Sequence, residues 1–185
     1  KLYDYSGFYY LFSRETGNLQ YIQDVNGNYI FIDYNDSNEI SNLNHSNGDS
    51  FTFIYNEQGR LSTLIDHCGQ NTFYYYDSSG EHLSRVEGIN TTTEYSYFDE
   101  PTSFKNHALE SIQYTDGRIK YFDYDERGYL IAEYYAGDYE KLAYDYDERN
   151  NVTITDANSA ETKIYYNIPG LPVRIIGPLE REIQY

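Results

Sequence analysis

Residues 55–77 read YNEQGRLSTLIDHCGQNTFYYYD. The stretch opens on an aromatic followed by Asn56, turns through Gly59 and runs into an apolar stretch at Leu61. It turns again at Cys68-Gly69 and closes on aromatics at Tyr76-Asp77, where the pattern begins again. Gly, Asn and Asp punctuate turns, while aromatic and β-branched residues fill pleated strands. One such unit therefore predicts two strands and two turns. Working outward in both directions, the aromatic before each turn recurs at Phe12, Tyr34, Tyr55, Tyr76, Tyr97, Tyr124, Tyr146 and Tyr166, with spacings of 22, 21, 21, 21, 27, 22 and 20. A near-constant period of this length is the signature of a repeat architecture, and these eight aromatics are its expected structural anchors.

The rest of the pattern repeats with them. Asp or Asn follows the anchor at Asn35, Asn56, Asp77, Asp125, Asp147 and Asn167. Gly comes a few residues later at Gly17, Gly59, Gly80, Gly128 and Gly170, with Asn38 and Asn150 standing in and Ile168-Pro169 replacing polar turn residues. An apolar residue then opens the next run, at Leu19, Ile40, Leu61, Leu83, Leu130 and Val152. The second turn of each unit, at Asn26-Gly27, Asn47-Gly48, Cys68-Gly69 and Asp116-Gly117, is expected to be a two-residue type I′ turn with positive φ at both positions. Strands are predicted over Tyr29–Tyr34, Phe51–Tyr55, Thr72–Tyr76, Ile119–Tyr124 and Lys163–Tyr166. No window has a sustained helical period.

The predicted fold is all-β: a continuous antiparallel meander of about eight β-hairpin repeats over residues 1–185, a single array. So many strands are expected to curve rather than lie flat. The long spacing after Tyr97 predicts an inserted surface loop over residues 98–110. With no Met anywhere, and with Leu179–Tyr185 resembling the start of another repeat, both ends are expected to be cuts through a longer protein.

Composition narrows the function. Of 185 residues, 30 are Asp or Glu and 13 are Lys or Arg, a net charge of −17, which repels phosphate backbones and argues against nucleic-acid binding. The 25 Tyr and 9 Phe argue against disorder. A single Cys is expected to exclude both an intrachain disulfide framework and a cysteine-based zinc site. No segment reads as membrane-inserting.

The form YNEQGRLSTLIDHCGQNTFYYYD, repeated as YDERGYL at residues 124–130, resembles the Tyr-Asp repeat of the YD (Rhs) family, and the resemblance runs along nearly the whole chain. It implies a spiral of hairpins forming a hollow shell, which in bacterial Rhs proteins and insecticidal toxin complexes encloses a C-terminal toxic domain. Teneurins are more distantly similar. The turns at residues 155–158 and 176–179 resemble the bacterial form. The resemblance thus implies a secreted or cell-surface parent protein, with the rest of its own shell and an enclosed C-terminal cargo domain as partners. The expected role is a structural shell segment, not an enzyme, with no cofactor and no metal. An extracellular adhesion scaffold binding protein or glycan is the alternative. Family members that cleave themselves use an Asp-containing plug after the repeats, and no such motif is present.

Other constellations read as structure. Asp123-x-Asp125 with Gly128, echoed at Asp145-x-Asp147, lacks the further oxygen ligands and final Glu of an EF-hand and falls on the repeat turn. His67 and Cys68 adjoin Asp66, but neighbouring turn residues are expected to point apart, leaving an exposed thiol. His45, His82 and His107 have no metal-ligand spacing. Glycosylation sequons start at Asn35, Asn44, Asn90 and Asn151. The tyrosines are expected to pack as cross-strand ladders.

Overall fold

The structure is a computed structural model that describes residues 1–149, 151–168 and 170–185. Among the described residues eighteen antiparallel strands form one meander sheet. Asn150 as a stand-in for the turn glycine, and Pro169 in the Ile168-Pro169 turn, lie outside the described residues. Two compact units divide the chain, Lys1–Thr92 and Thr93–Tyr185.

The first unit contains β1 (Leu2–Tyr3), β2 (Tyr9–Phe12), β3 (Leu19–Gln23), β4 (Tyr29–Tyr34), β5 (Ile40–His45), β6 (Ser50–Tyr55), β7 (Leu61–Ile65), β8 (Asn71–Tyr76) and β9 (Leu83–Gly88). Next comes β10 (Thr91–Tyr97), within which the boundary falls. The second unit continues with β11 (Leu109–Gln113), β12 (Ile119–Tyr124), β13 (Leu130–Tyr135), β14 (Tyr139–Tyr146), β15 (Val152–Thr155), β16 (Glu161–Tyr166), β17 (Pro172–Ile176) and β18 (Glu182–Gln184). A single 3₁₀ turn, Pro178–Glu180, interrupts the segment read as the start of a further strand. The stretch read as inserted joins β10 to β11 over residues 98–108, and Leu109 and Glu110 already belong to β11. Its backbone rests on a repeat turn: a Cβ on Gly128 would lie 2.9 Å from the Phe104 carbonyl oxygen, and Gly128 has φ +82°. Both the space and the left-handed backbone there exclude a larger residue.

Both turns of the repeat use one chemistry. In the anchor turn, the Asn56 N–H donates to the Arg60 carbonyl at 2.9 Å and the Gly59 N–H to the Asn56 carbonyl at 3.0 Å. The Asn56 side-chain oxygen accepts the N–H groups of Gln58 and Arg60, each at 3.0 Å. The second turn repeats this around Asp66, whose carboxylate accepts the N–H groups of Cys68 at 2.9 Å and Gln70 at 2.8 Å. Asp24 and Asp156 do the same. Positive φ falls on Gly27, Gly48, Gly69 and Gly117 but not on the residue before each. The expected type I′ turns are therefore replaced by three-residue turns, a type I turn followed by a left-handed glycine. At Gly27 and Gly69 the side-chain acceptor three residues before the glycine, Asp24 or Asp66, stabilises this longer form by satisfying two loop N–H groups.

Strand register carries a second regularity. At seven of the eight anchors the pairing shifts: Tyr34 pairs with Ile40 while Asp33 pairs with Asn42, leaving Ser41 unopposed. Tyr55, Tyr76 and Tyr124 repeat the bulge opposite Leu61, Leu83 and Leu130. So do Phe12, Tyr97 and Tyr166, whereas Tyr146 pairs with Val152 in unbroken register. A bulge places two residues opposite one and removes a group from the ladder. The extra residue compensates at two sites, where the Ser62 hydroxyl donates to the Ile54 carbonyl at 3.0 Å and Ser84 to the Tyr75 carbonyl at 3.2 Å.

The bulge also takes the first carbonyl of the incoming strand out of its next ladder, and the anchor phenol takes its place. Pairing of β5 with β6 begins only at Asn42, and the Tyr55 hydroxyl donates to the Ile40 carbonyl at 2.8 Å. Tyr34 reaches the Leu19 carbonyl at 2.8 Å, Tyr76 reaches Leu61 at 2.9 Å and Tyr146 reaches Leu130 at 2.9 Å. Each phenol thus closes the open end of its own hairpin, about 15 residues back along the chain. Burial, reinforced by nearby carboxylates, pushes the Tyr55 and Tyr146 hydroxyls above their usual titration range, so they remain protonated donors.

Two measurements test this frame. Tyr55→Phe removes the donor and leaves a half-buried carbonyl unpaired, and is expected to lower stability by about 1 kcal/mol in urea unfolding. Tyr75→Phe, at a residue 38% exposed, should be near neutral; equal losses in both variants would show that the hydroxyl does not act as a clasp. The second concerns acid. The Asn28 and Asn151 amides, followed by loop N–H groups, hold the Asp24 and Asp147 carboxyls below the usual carboxylate range. Their stabilisation is complete above the unfolded value of about 3.9 and is lost as pH falls through the lower folded values. Asp24→Asn with Asp147→Asn, which keeps the acceptor oxygen but cannot titrate, should flatten the stability loss between about pH 4 and pH 2, measured by urea midpoints. An unchanged slope would show that other carboxylates govern the acid limb.

Candidate functional site: the anchor face

Directly paired residues share a face of an antiparallel sheet, and alternate residues switch faces. In the first unit the face that carries the anchors also carries Ile30, Ile32, Leu43, Phe51, Phe53 and Leu64. Its strands put no Asp, Glu, Lys or Arg there; apart from the tyrosines, His45 and Thr72 are the polar residues among its paired positions. The opposite face holds Asp33, Asn42, Asn44, Thr52, Thr63, Arg85 and Glu87. Their polar groups bond across strands: the Asn44 amide to Asp33 at 3.2 Å, the Thr52 hydroxyl to Asn42 at 2.9 Å.

The second unit is built the same way. Its anchor face carries Phe122, Leu142, Tyr144, Ile154, Ile164 and Ile175, and its strand charges, Lys120 and Glu133, pair with each other at 3.1 Å. Asp123, Asp145, Glu161, Lys163 and Arg174 lie on the other face. A concavity of about 730 Å³ on the anchor face is lined chiefly by Tyr144, Tyr146, Val152, Ile154, Ile164 and Tyr166. Tyr124 packs edge-to-face on Phe98 at 6.1 Å, and burial raises its hydroxyl above the usual range.

These apolar faces are not sealed. Among the described residues the buried hydrophobic side chains are Ile32 and Ala132, each 7% exposed, while Phe51 remains 41% exposed. A domain ordinarily buries such a face against a second layer. Within each unit the described residues supply no such layer.

On the opposite face of the first unit, Tyr3, Tyr9, Tyr21 and Tyr29 form a row with successive centroids 5.2, 5.9 and 5.3 Å apart, a cross-strand ladder of the expected kind. Nine of the 13 Lys and Arg side chains sit over aromatic rings, among them Arg85 over Tyr75 at 4.2 Å and Arg127 over Tyr129 at 4.8 Å.

The Asp125 and Asp147 carboxylates are occupied by their own turns, while Asp123 points to the Tyr134 hydroxyl at 3.5 Å. His45 binds Asn47 at 2.6 Å and His82 meets Asp77 at 2.7 Å. His107 has φ +67° in the 98–108 connection. One expectation is overturned: adjacency on the turn does not separate His67 from Cys68, whose Nε2 and Sγ lie 3.2 Å apart. The turn's first residues are not extended, so the strand rule of alternating directions does not apply there. No helix among the described residues is long and apolar enough to cross a membrane.

No protein-family model matches the chain, and no curated sequence does. Solved structures do match in fold. Over 91% of this chain, a Photorhabdus luminescens Tc holotoxin pore with a mutated TccC3 superposes with a TM-score of 0.62 at 15% identity. Crystal structures of TcdB2-TccC3 and of TcdB2-TccC3-Cdc42 superpose with TM-scores of 0.62 and 0.61, at 13% and 14% identity, over 92% and 99% of this chain. The chain spans 11% of the length of each. At this identity the likeness establishes architecture alone, a continuous antiparallel meander of β-hairpins.

Proposed function

We propose that the chain is a wall segment of a YD/Rhs-type shell in a secreted toxin or toxin-complex protein, and that its work is mechanical: it separates an enclosed polypeptide from its surroundings. The observation that carries this reading is the apolar anchor face left half-exposed within each unit, where the described residues supply no second layer. Such a surface stays soluble in a larger assembly that covers it, and an enclosed, poorly folded chain is one cover of matching chemistry. The likeness to TcdB2-TccC3 chains supports the same reading. The partners are then the remainder of the shell and a C-terminal cargo domain. No residue acts catalytically, and the parent works in a secreted setting.

The test uses the full-length parent polypeptide with an unstructured, protease-sensitive reporter placed after the repeats. Enclosure predicts that the reporter survives limited proteolysis under conditions that digest it when free, and becomes sensitive once the shell is unfolded in denaturant. Cleavage at the free rate in the native protein would refute enclosure.

A further inference from the structure

The turn between β7 and β8 gathers three different ligand types. The side-chain donor atoms of Asp66, His67 and Cys68 lie within 4.8 Å of one another, with His67 Nε2 and Cys68 Sγ 3.2 Å apart. A fourth donor comes from the neighbouring turn between β5 and β6, where Asp49 Oδ1 lies 4.0 Å from His67 Nε2. All four residues belong to the first unit. A tetrahedral zinc site holds S, N and O donors at about 2.0–2.3 Å from the metal, which puts the donors themselves roughly 3.3–3.7 Å apart. The three donors of the turn already lie near that spacing, and Asp49 approaches them at His67.

The carboxylates are already oriented. One oxygen of Asp66 accepts the N–H groups of Cys68 and Gln70, and one oxygen of Asp49 accepts the Asn47 amide at 2.7 Å. Each retains a second oxygen for a ligand, and hydrogen bonds of this kind hold first ligands in place. The half-buried Asp66 lies beside exposed His67 and Cys68, so a cation can enter from solvent. The chain's only thiol excludes an internal disulfide as a competing fate for this sulfur.

We propose that Asp66, His67 and Cys68, completed by Asp49, bind a divalent cation of the zinc class and so bridge two neighbouring turns of the array. This replaces the expectation of no metal. The mixed thiolate, imidazole and carboxylate set favours zinc over the oxygen-seeking Mg²⁺ and Ca²⁺. On binding, the Cys68 S–H proton goes to solvent and the thiolate takes its place on the metal, so affinity falls as pH is lowered.

The experiment titrates the 185-residue chain with Co²⁺, reading the thiolate-to-cobalt charge-transfer absorption, and then displaces Co²⁺ with Zn²⁺. The expected result is saturation at one equivalent, loss of the band in Cys68→Ser, and binding weakened more than about tenfold in His67→Ala and measurably in Asp49→Asn. Zn²⁺ should also raise the melting temperature of the native chain and not that of Cys68→Ser. Cys68 is exposed, so this variant is expected to fold, which far-ultraviolet circular dichroism checks. Absence of the band overturns the proposal, as does full wild-type affinity in His67→Ala, which would mean that the thiol binds metal alone.

Discussion

A tyrosine hydroxyl that meets the first carbonyl of its own hairpin is the contact on which the array depends. Bulges offset the register at nearly every anchor, and each would otherwise leave a main-chain acceptor without a partner. The phenol supplies that partner at Tyr34, Tyr55, Tyr76 and Tyr146. Its ring adds apolar area on the same face. This double use explains why the position is aromatic and why a hydroxylated aromatic fills most repeats: only a side chain that is both broad and tipped with a donor fits the place.

Much of this is legible from spacing alone. The strands Tyr29–Tyr34 and Ile119–Tyr124 begin and end where the sequence predicts, because aromatic and β-branched residues cluster between unmistakable turn residues. Turn type is not, because Asn-Gly is the conspicuous pair whereas the decisive residue is Asp24 or Asp66, three positions before the glycine. The bulges are equally hidden, since one unopposed residue such as Ser41 leaves no mark on a period that already varies by a residue. So is the clasp, whose partner is a main-chain atom that every residue possesses.

The face segregation is partly hidden for a related reason. Both alternating sets contain aromatics, so Phe51, Phe53 and Tyr55 against Thr52 and Ile54 do not separate cleanly by hydropathy. Charge separates them better. In the first unit Asp33, Arg85 and Glu87 all fall on the face opposite the anchors, and in the second the exceptions, Lys120 and Glu133, neutralise each other. The Asp66, His67 and Cys68 cluster lies out of reach of any linear reading, because it depends on how one turn folds its side chains and on Asp49 from the turn beside it.

Within each unit every strand pairs with its neighbour in sequence. Such a chain never waits for a distant segment: a hairpin becomes complete when its own closing tyrosine arrives, and the next can be laid against it. Low contact order of this kind favours rapid, stepwise assembly. The same order suits a chain delivered end first, from a ribosome or through a translocation pore, because the hairpins that have emerged can set before the remainder of the chain arrives.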